Sequence, residues 1–201
     1  MEELNKKFDD LVRTSFVNPL KQAGFKKRAL NWTRQTEEFY SLINIQRSQW
    51  NSHEQLRFFV NVGLHPLDFD NPPNTKSPKT FEFWARLRSD DLLSNTPGAF
   101  EIHEDTPISD LITELTYIVK ALVEELNQIR SVELLIQKAF RRRPMDAART
   151  YYAIGQDDAA LSELQKLADE FGDQKEFTIP ALIQRLAFER LADRNHTNDK
   201  G

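Results

Sequence analysis

The chain has 201 residues, of which 39% are apolar and 29% charged; it carries a net charge of −4 and has no cysteine. That length suits one sizeable core, or one domain with a small appendage, and the composition excludes the disordered and membrane-spanning classes. The missing thiols exclude a cysteine nucleophile, a disulfide framework and any zinc site built on cysteine.

The acidic balance argues against nucleic acid as a partner, because duplex binding needs a concentrated basic face to displace counterions. No apolar run approaches the roughly 20 residues that span a bilayer. The stretch Met1–Lys7 lacks the apolar core of a secretory signal. The expected compartment is therefore the cytoplasm, without a membrane partner.

Leu4, Phe8, Leu11, Val12, Phe16 and Leu20 recur at helical spacing and predict an N-terminal helix with one apolar stripe. Pro19 cannot donate to the preceding turn, so a break or kink is expected, with Asn18 capping a last short turn. Gly24 should end the element in a left-handed conformation, letting Phe25 fold back on the stripe.

Strands are predicted over Leu30–Thr36, Phe39–Gln46, Leu56–Leu64 and Phe81–Arg88, each from alternation of apolar and polar residues. Together they predict an α+β fold. It is a four-stranded antiparallel sheet packed by the N-terminal helix and a long central helix, with an all-helical C-terminal extension. Between the third and fourth strands, His65–Thr80 carries Pro66, Pro72, Pro73 and Pro78, and a connection this long is functional or disordered.

From Thr106 the period becomes helical. Thr106 reads as an N-cap with Pro107 at the first helical position. An apolar stripe then runs from Ile108 to Ile129 and predicts a long helix. A shorter helix is expected over Ser131–Arg142. Ala147-Ala148, Tyr151-Tyr152, Gly155, Ala160-Leu161, Leu164 and Leu167 resemble the pattern of one tetratricopeptide repeat. No second copy follows, so this predicts a helical hairpin and nothing about peptide binding. A final helix is expected over Ile179–Arg194. The resulting domain division is 1–143 and 144–201.

One ordered set of residues carries a family resemblance. It comprises Leu20-Lys21 with Gly24-Phe25-Lys26-Lys27, then Trp32, then Ile43-Asn44-Ile45-Gln46 with Ser48 and Trp50-Asn51-Ser52. Phe59, Asn61-Val62-Gly63 and Trp84-Ala85-Arg86-Leu87 complete it. In this order they resemble the bacterial family called domain of unknown function 4304, over roughly residues 5–90. The resemblance implies a small bacterial domain and brings no catalytic residue with it.

The six glycines are never closer than seventeen positions. No loop can therefore wrap a phosphate with consecutive backbone N–H groups, and no serine sits in a nucleophile elbow. No cofactor is expected. His65–Asp70 and Glu101–Asp105 each gather imidazole and carboxylates, but neither spacing matches a standard ligand frame, so no metal site is assigned. Arg141-Arg142-Arg143 is explained by the dipole of the preceding helix.

The polar side of the sheet is the candidate site. With Ile43 and Ile45 facing the core, Asn44, Gln46 and Ser48 face away. The same alternation turns Arg57, Phe59 and Asn61 outward, joined by Trp84, Arg86 and Arg88. Asparagine is disfavoured in strands, so Asn44 and Asn61 need a reason. Either they bind a ligand, or they bond to one another across strands. Trp50, in the loop Arg47–Gln55, is either an exposed interface anchor or a cover for the sheet edge.

The leading expectation is a non-catalytic binding or protein-interaction module, of the kind an immunity factor uses to mask a toxin. Its candidate residues are Asn44, Gln46, Trp50, Asn61, Trp84 and Arg86. The alternative is a small-ligand receptor or enzyme in which Arg86 and Asn61 orient an anionic substrate.

Overall fold

A computed structural model describes residues 2–74, 78–141, 143–171 and 174–186. The chain forms two compact units, Met1–Ser131 and Val132–Gly201. No helix among the described residues is long and apolar enough to cross a membrane.

The first unit opens with α1, Glu2–Val12, which passes through a π-helical turn, Arg13–Val17, into α2, Asn18–Gln22. Pro19 has no N–H for the carbonyl of Ser15, and its ring crowds that carbonyl in regular α geometry. The wider turn just before it relieves both problems. Asn18 accordingly stays helical (φ −70°, ψ −49°) and caps nothing, contrary to expectation. Gly24 ends the run at φ +83°, while Gly24 N–H donates to Lys21 O (3.1 Å) and Phe25 N–H to Leu20 O (2.9 Å). These two bonds make a Schellman cap, and Phe25 folds back and is buried.

The sheet has six strands rather than four. β1 (Lys26–Arg28), β2 (Asn31–Gln35), β3 (Phe39–Arg47) and β4 (Gln55–Pro66) form a meander. β5 (Ala85–Arg88) pairs with Asn61–Leu64 of β4, and β6 (Phe100–His103) pairs with Gln55–Phe58 along the same edge. β1 was illegible because it has no apolar residue, and β6 because four residues hold only one alternation. The predicted strand Phe81–Arg88 is shortened, since Thr80–Glu82 forms a 3₁₀ turn.

One face of the sheet packs on helices. Trp32, Ile43, Ile45, Phe58, Val60, Val62, Leu87 and Ile102 are all buried there. Phe16 of the π turn stacks on Trp32 at 5.6 Å, and Phe8 meets Phe58 edge-on at 5.4 Å. After β5 comes the short helix α3, Ser89–Leu92, and after β6 the long helix α4, Ile108–Gln128, which contributes Leu115, Ile118, Val119, Leu122 and Leu126. Each leucine buried this fully contributes about 1.5–3 kcal/mol relative to exposure. Ser15, itself buried, donates through Oγ to Ile112 O (3.1 Å), tying the π turn to α4. Thr106 does not cap this helix. Its hydroxyl accepts from His103 N–H (2.7 Å), and the helix begins after Pro107.

The opposite face is divided, which the alternation pattern did not foretell. Tyr40 and Leu42 lie on it, yet both are buried with Phe83 in a small apolar cluster. Phe83 stacks on Tyr40 at 5.8 Å and occupies the space over Gly63. An alanine Cβ at Gly63 would stand only 2.6 Å from the Phe83 ring, so the close approach requires glycine. Phe83, just beyond the proline-rich connection, thus covers part of this face. The half bearing Asn44, Gln46, Phe59 and Arg88 lies beyond the cluster.

The second unit contains α5 (Val132–Ala139), α6 (Pro144–Ala153) and α7 (Asp157–Phe171). The expected helical hairpin is α6–α7, turning at Gly155, with Ala148, Ala160 and Leu164 buried between the helices. Leu182 and Leu186, from a helical stretch over 179–186, complete this core. The predicted continuation to Arg194 lies outside the described residues, as does Arg142. α5 ends before the arginine run; Arg143 instead faces Asp146 in the first turn of α6 at 3.8 Å.

Candidate functional site

Cross-strand register builds the site. Asn31 lies opposite Asn44, Asn44 opposite Asn61, and Asn61 opposite Arg88, so four polar residues form a row across β2, β3, β4 and β5. Three amides of that row are joined. Asn44 Nδ2 donates to Asn31 Oδ1 (2.6 Å), and Asn61 Nδ2 donates to Asn44 Oδ1 (3.0 Å). Asn61 Nδ2 also donates to Gln46 Oε1 (3.0 Å), and Asn31 Nδ2 reaches Pro78 O (3.3 Å). Both protons of the buried Asn61 amide are used internally. The asparagines that are disfavoured in strands are thus explained by one another.

Beside this row the surface is exposed. Gln46 lies opposite Phe59 on β4, and the Arg88 guanidinium sits 4.1 Å over the Phe59 ring, with Arg57 on it at 5.7 Å. Contacts of this kind hold a guanidinium in place while leaving its N–H edge for a ligand. Arg57 Nε meets Glu101 Oε1 at 3.5 Å, and Glu101 Oε2 meets His103 Nε2 at 3.6 Å. Arg88 is fixed from the other side. Its backbone N–H donates to Asp91 Oδ2 (2.7 Å) and its side-chain Nη1 to Gly98 O (3.4 Å).

Of the six residues singled out by sequence, Asn44, Gln46 and Asn61 come together through hydrogen bonds. Arg86 is exposed on β5 opposite Gly63, two positions along the strand from Arg88. Trp84 precedes β5 and packs edge-on against Phe69 at 4.6 Å. Trp50 stands apart at the tip of the β3–β4 hairpin, 85% exposed. It does not cover the sheet edge. Its loop is ordered by side chains: Trp50 N–H donates to Ser48 Oγ (3.1 Å) and Arg57 N–H to Asn51 Oδ1 (2.7 Å).

The site also includes Asn31, which the sequence reading left out. This third asparagine in register was hidden because pairing of β2 with β3 cannot be read from one strand alone. Arg57, Phe59 and Arg88 were legible as outward-facing, but not as a stacked group.

Neither cluster considered for metal gathers ligands. Among the described residues no three His, Asp or Glu side chains converge in that way. His65 is buried on the covered half, opposite Tyr40, with its Nε2 3.4 Å from Phe69 O. Burial pushes its imidazole below the ordinary histidine value, partly offset by that carbonyl.

These features define an α+β protein with one helix-covered sheet face and a second face that is part apolar cluster, part ordered polar surface. The chain belongs to the family described as domain of unknown function DUF4304, which matches over residues 16–129. The match runs past residue 90 through β6 and α4, farther than the sequence motifs indicated, and falls within the first compact unit. No curated protein and no solved structure matches the chain.

Proposed function

We propose that this protein is a non-catalytic binding module that recognises a protein partner through the exposed half of its second sheet face. The observation that carries this reading is the Arg57–Phe59–Arg88 stack, held on β4 and the neighbouring strand β5 beside the hydrogen-bonded amide row. An arginine–aromatic surface pre-ordered by such bonds loses little side-chain freedom on binding, a property of interface anchors. Trp50, fully presented on an ordered loop, extends the surface available to a partner.

The test compares affinity capture from the native cells with wild-type bait and with Arg88→Ala and Phe59→Ala baits of equal stability. A partner recovered by the wild type should be lost with both variants. Recovery of the same proteins by all three baits refutes the reading. A small-ligand receptor would instead show a rise in melting temperature with an anionic metabolite or nucleotide.

A further inference from the structure

The hydrogen bonds of the amide row run in one sense, and a backbone carbonyl fixes it. Pro78 O can only accept, so Asn31 must turn its Nδ2 toward it. Asn31 Oδ1 is then left to accept from Asn44 Nδ2, which also lies 3.5 Å from the carbonyls of Leu30 and Ile45. Those two additional acceptors fix the same orientation. Asn44 Oδ1 must therefore accept from Asn61 Nδ2, whose second proton goes to Gln46 Oε1. Each amide is confined to one of its two flip states. The last, Gln46, has its oxygen turned inward and its Nε2 outward, where it meets no partner among the described residues.

We propose that Gln46 Nε2 and the Arg88 guanidinium form a seat for a single carboxylate of an acidic segment in the protein partner. This deepens the binding-face reading and rests on it. Both groups offer only donors, and they flank Asn61, to which Gln46 is bonded and with which Arg88 is in register. A donor-only seat selects an acceptor-only ligand. Charge selects among such ligands. Arg57 is already met by Glu101, and the chain is acidic overall at −4, so the surface suits one carboxylate better than a polyphosphate strand.

The test uses the full chain labelled with ¹⁵N and follows the Gln46 side-chain amide and Arg88 Nε–H signals by NMR. Titration with a blocked oligoglutamate peptide should shift both signals saturably. A blocked oligoglutamine should shift neither, and inorganic phosphate should act more weakly. Gln46→Glu keeps an inward acceptor for Asn61 but turns an anionic acceptor outward, so it should weaken binding at least about tenfold. The Asn44 and Asn61 amide signals should persist in that variant, showing that the row is intact. Shifts at Arg88 and Phe59 without any at Gln46, or equal affinity in the Gln46→Glu variant, overturn the seat while the binding face stands. Tighter binding of phosphate than of oligoglutamate overturns the carboxylate assignment. Absence of any shift on this face, with partner capture unaffected by Arg88→Ala, overturns both.

Discussion

Replacing Gly63 with alanine tests how the second face is divided. The new Cβ would meet Phe83 Cγ at 2.6 Å and the two Cδ atoms at 2.8 and 3.0 Å. Carbon atoms pack best at about 3.5–4.0 Å, so the ring must withdraw by roughly 1 Å. Phe83 cannot do so freely, being buried and stacked on Tyr40 at 5.8 Å. Overpacking of this kind costs typically about 1–3 kcal/mol, and Gly63→Ala should fall in the middle of that range. Phe83→Ala removes the obstacle. In that background alanine at position 63 should be neutral, or stabilising by about 0.5–1 kcal/mol, because glycine in a strand interior carries an entropy cost. The two substitutions should therefore couple by about 2–3 kcal/mol. Urea unfolding followed by tryptophan fluorescence measures this in the first unit, which holds Trp32, Trp50 and Trp84. Additivity within about 0.5 kcal/mol would mean that Phe83 does not rest on Gly63.

Two further predictions concern His65 and Trp50. The folded pKa of His65 is lowered, so the unfolded chain binds more protons as pH falls below its unfolded value of about 6.5. The associated stability is fully present above that value and is lost as pH drops toward the folded pKa. Urea midpoints at pH 7.5 and 5.5 should diverge more for the wild type than for His65→Phe, and equal pH dependence refutes the assignment. Trp50→Ala should leave stability within about 0.5 kcal/mol and remove the fluorescence component most accessible to acrylamide. A larger fall in the urea midpoint would show that the indole packs against the loop.

The helix-facing half of the fold was legible because each element repeats its apolar residues at one period. Ile43, Ile45, Val60 and Val62 alternate; Leu115, Ile118, Val119 and Leu122 follow the helical spacing. Legibility failed where burial depends on a partner from distant sequence. Leu42 alternates into the second face, and nothing local says that Phe83 will cover it. The same limit held for the site. Asn44 and Asn61 stood out as costly in strands, but choosing their mutual bond over a ligand depends on the register of the β3–β4 hairpin. Pro78, which orients the whole amide row, comes from a connection whose path periodicity cannot predict.

The position of the site follows from an interruption in the edge of the sheet. β5 and β6 run along one edge of β4 in the same direction, separated by residues 89–99, which include the short helix α3, Ser89–Leu92. β5 pairs as far as Asn61 and β6 resumes at Phe58, so Phe59 and Val60 have no strand neighbour on that side. Val60 points into the core and is covered by it. Phe59 points the other way and takes its neighbours from side chains: Arg88 from the end of β5 and Arg57 from its own strand. The interruption also fixes Arg88 at both ends of the inserted segment, through Asp91 and Gly98. In a continuous strand the residue opposite Phe59 would place its own side chain beside the ring, where the Arg88 guanidinium now lies. The gap therefore places the stack beside Gln46 and at the end of the amide row, and the insertion holds Arg88 there.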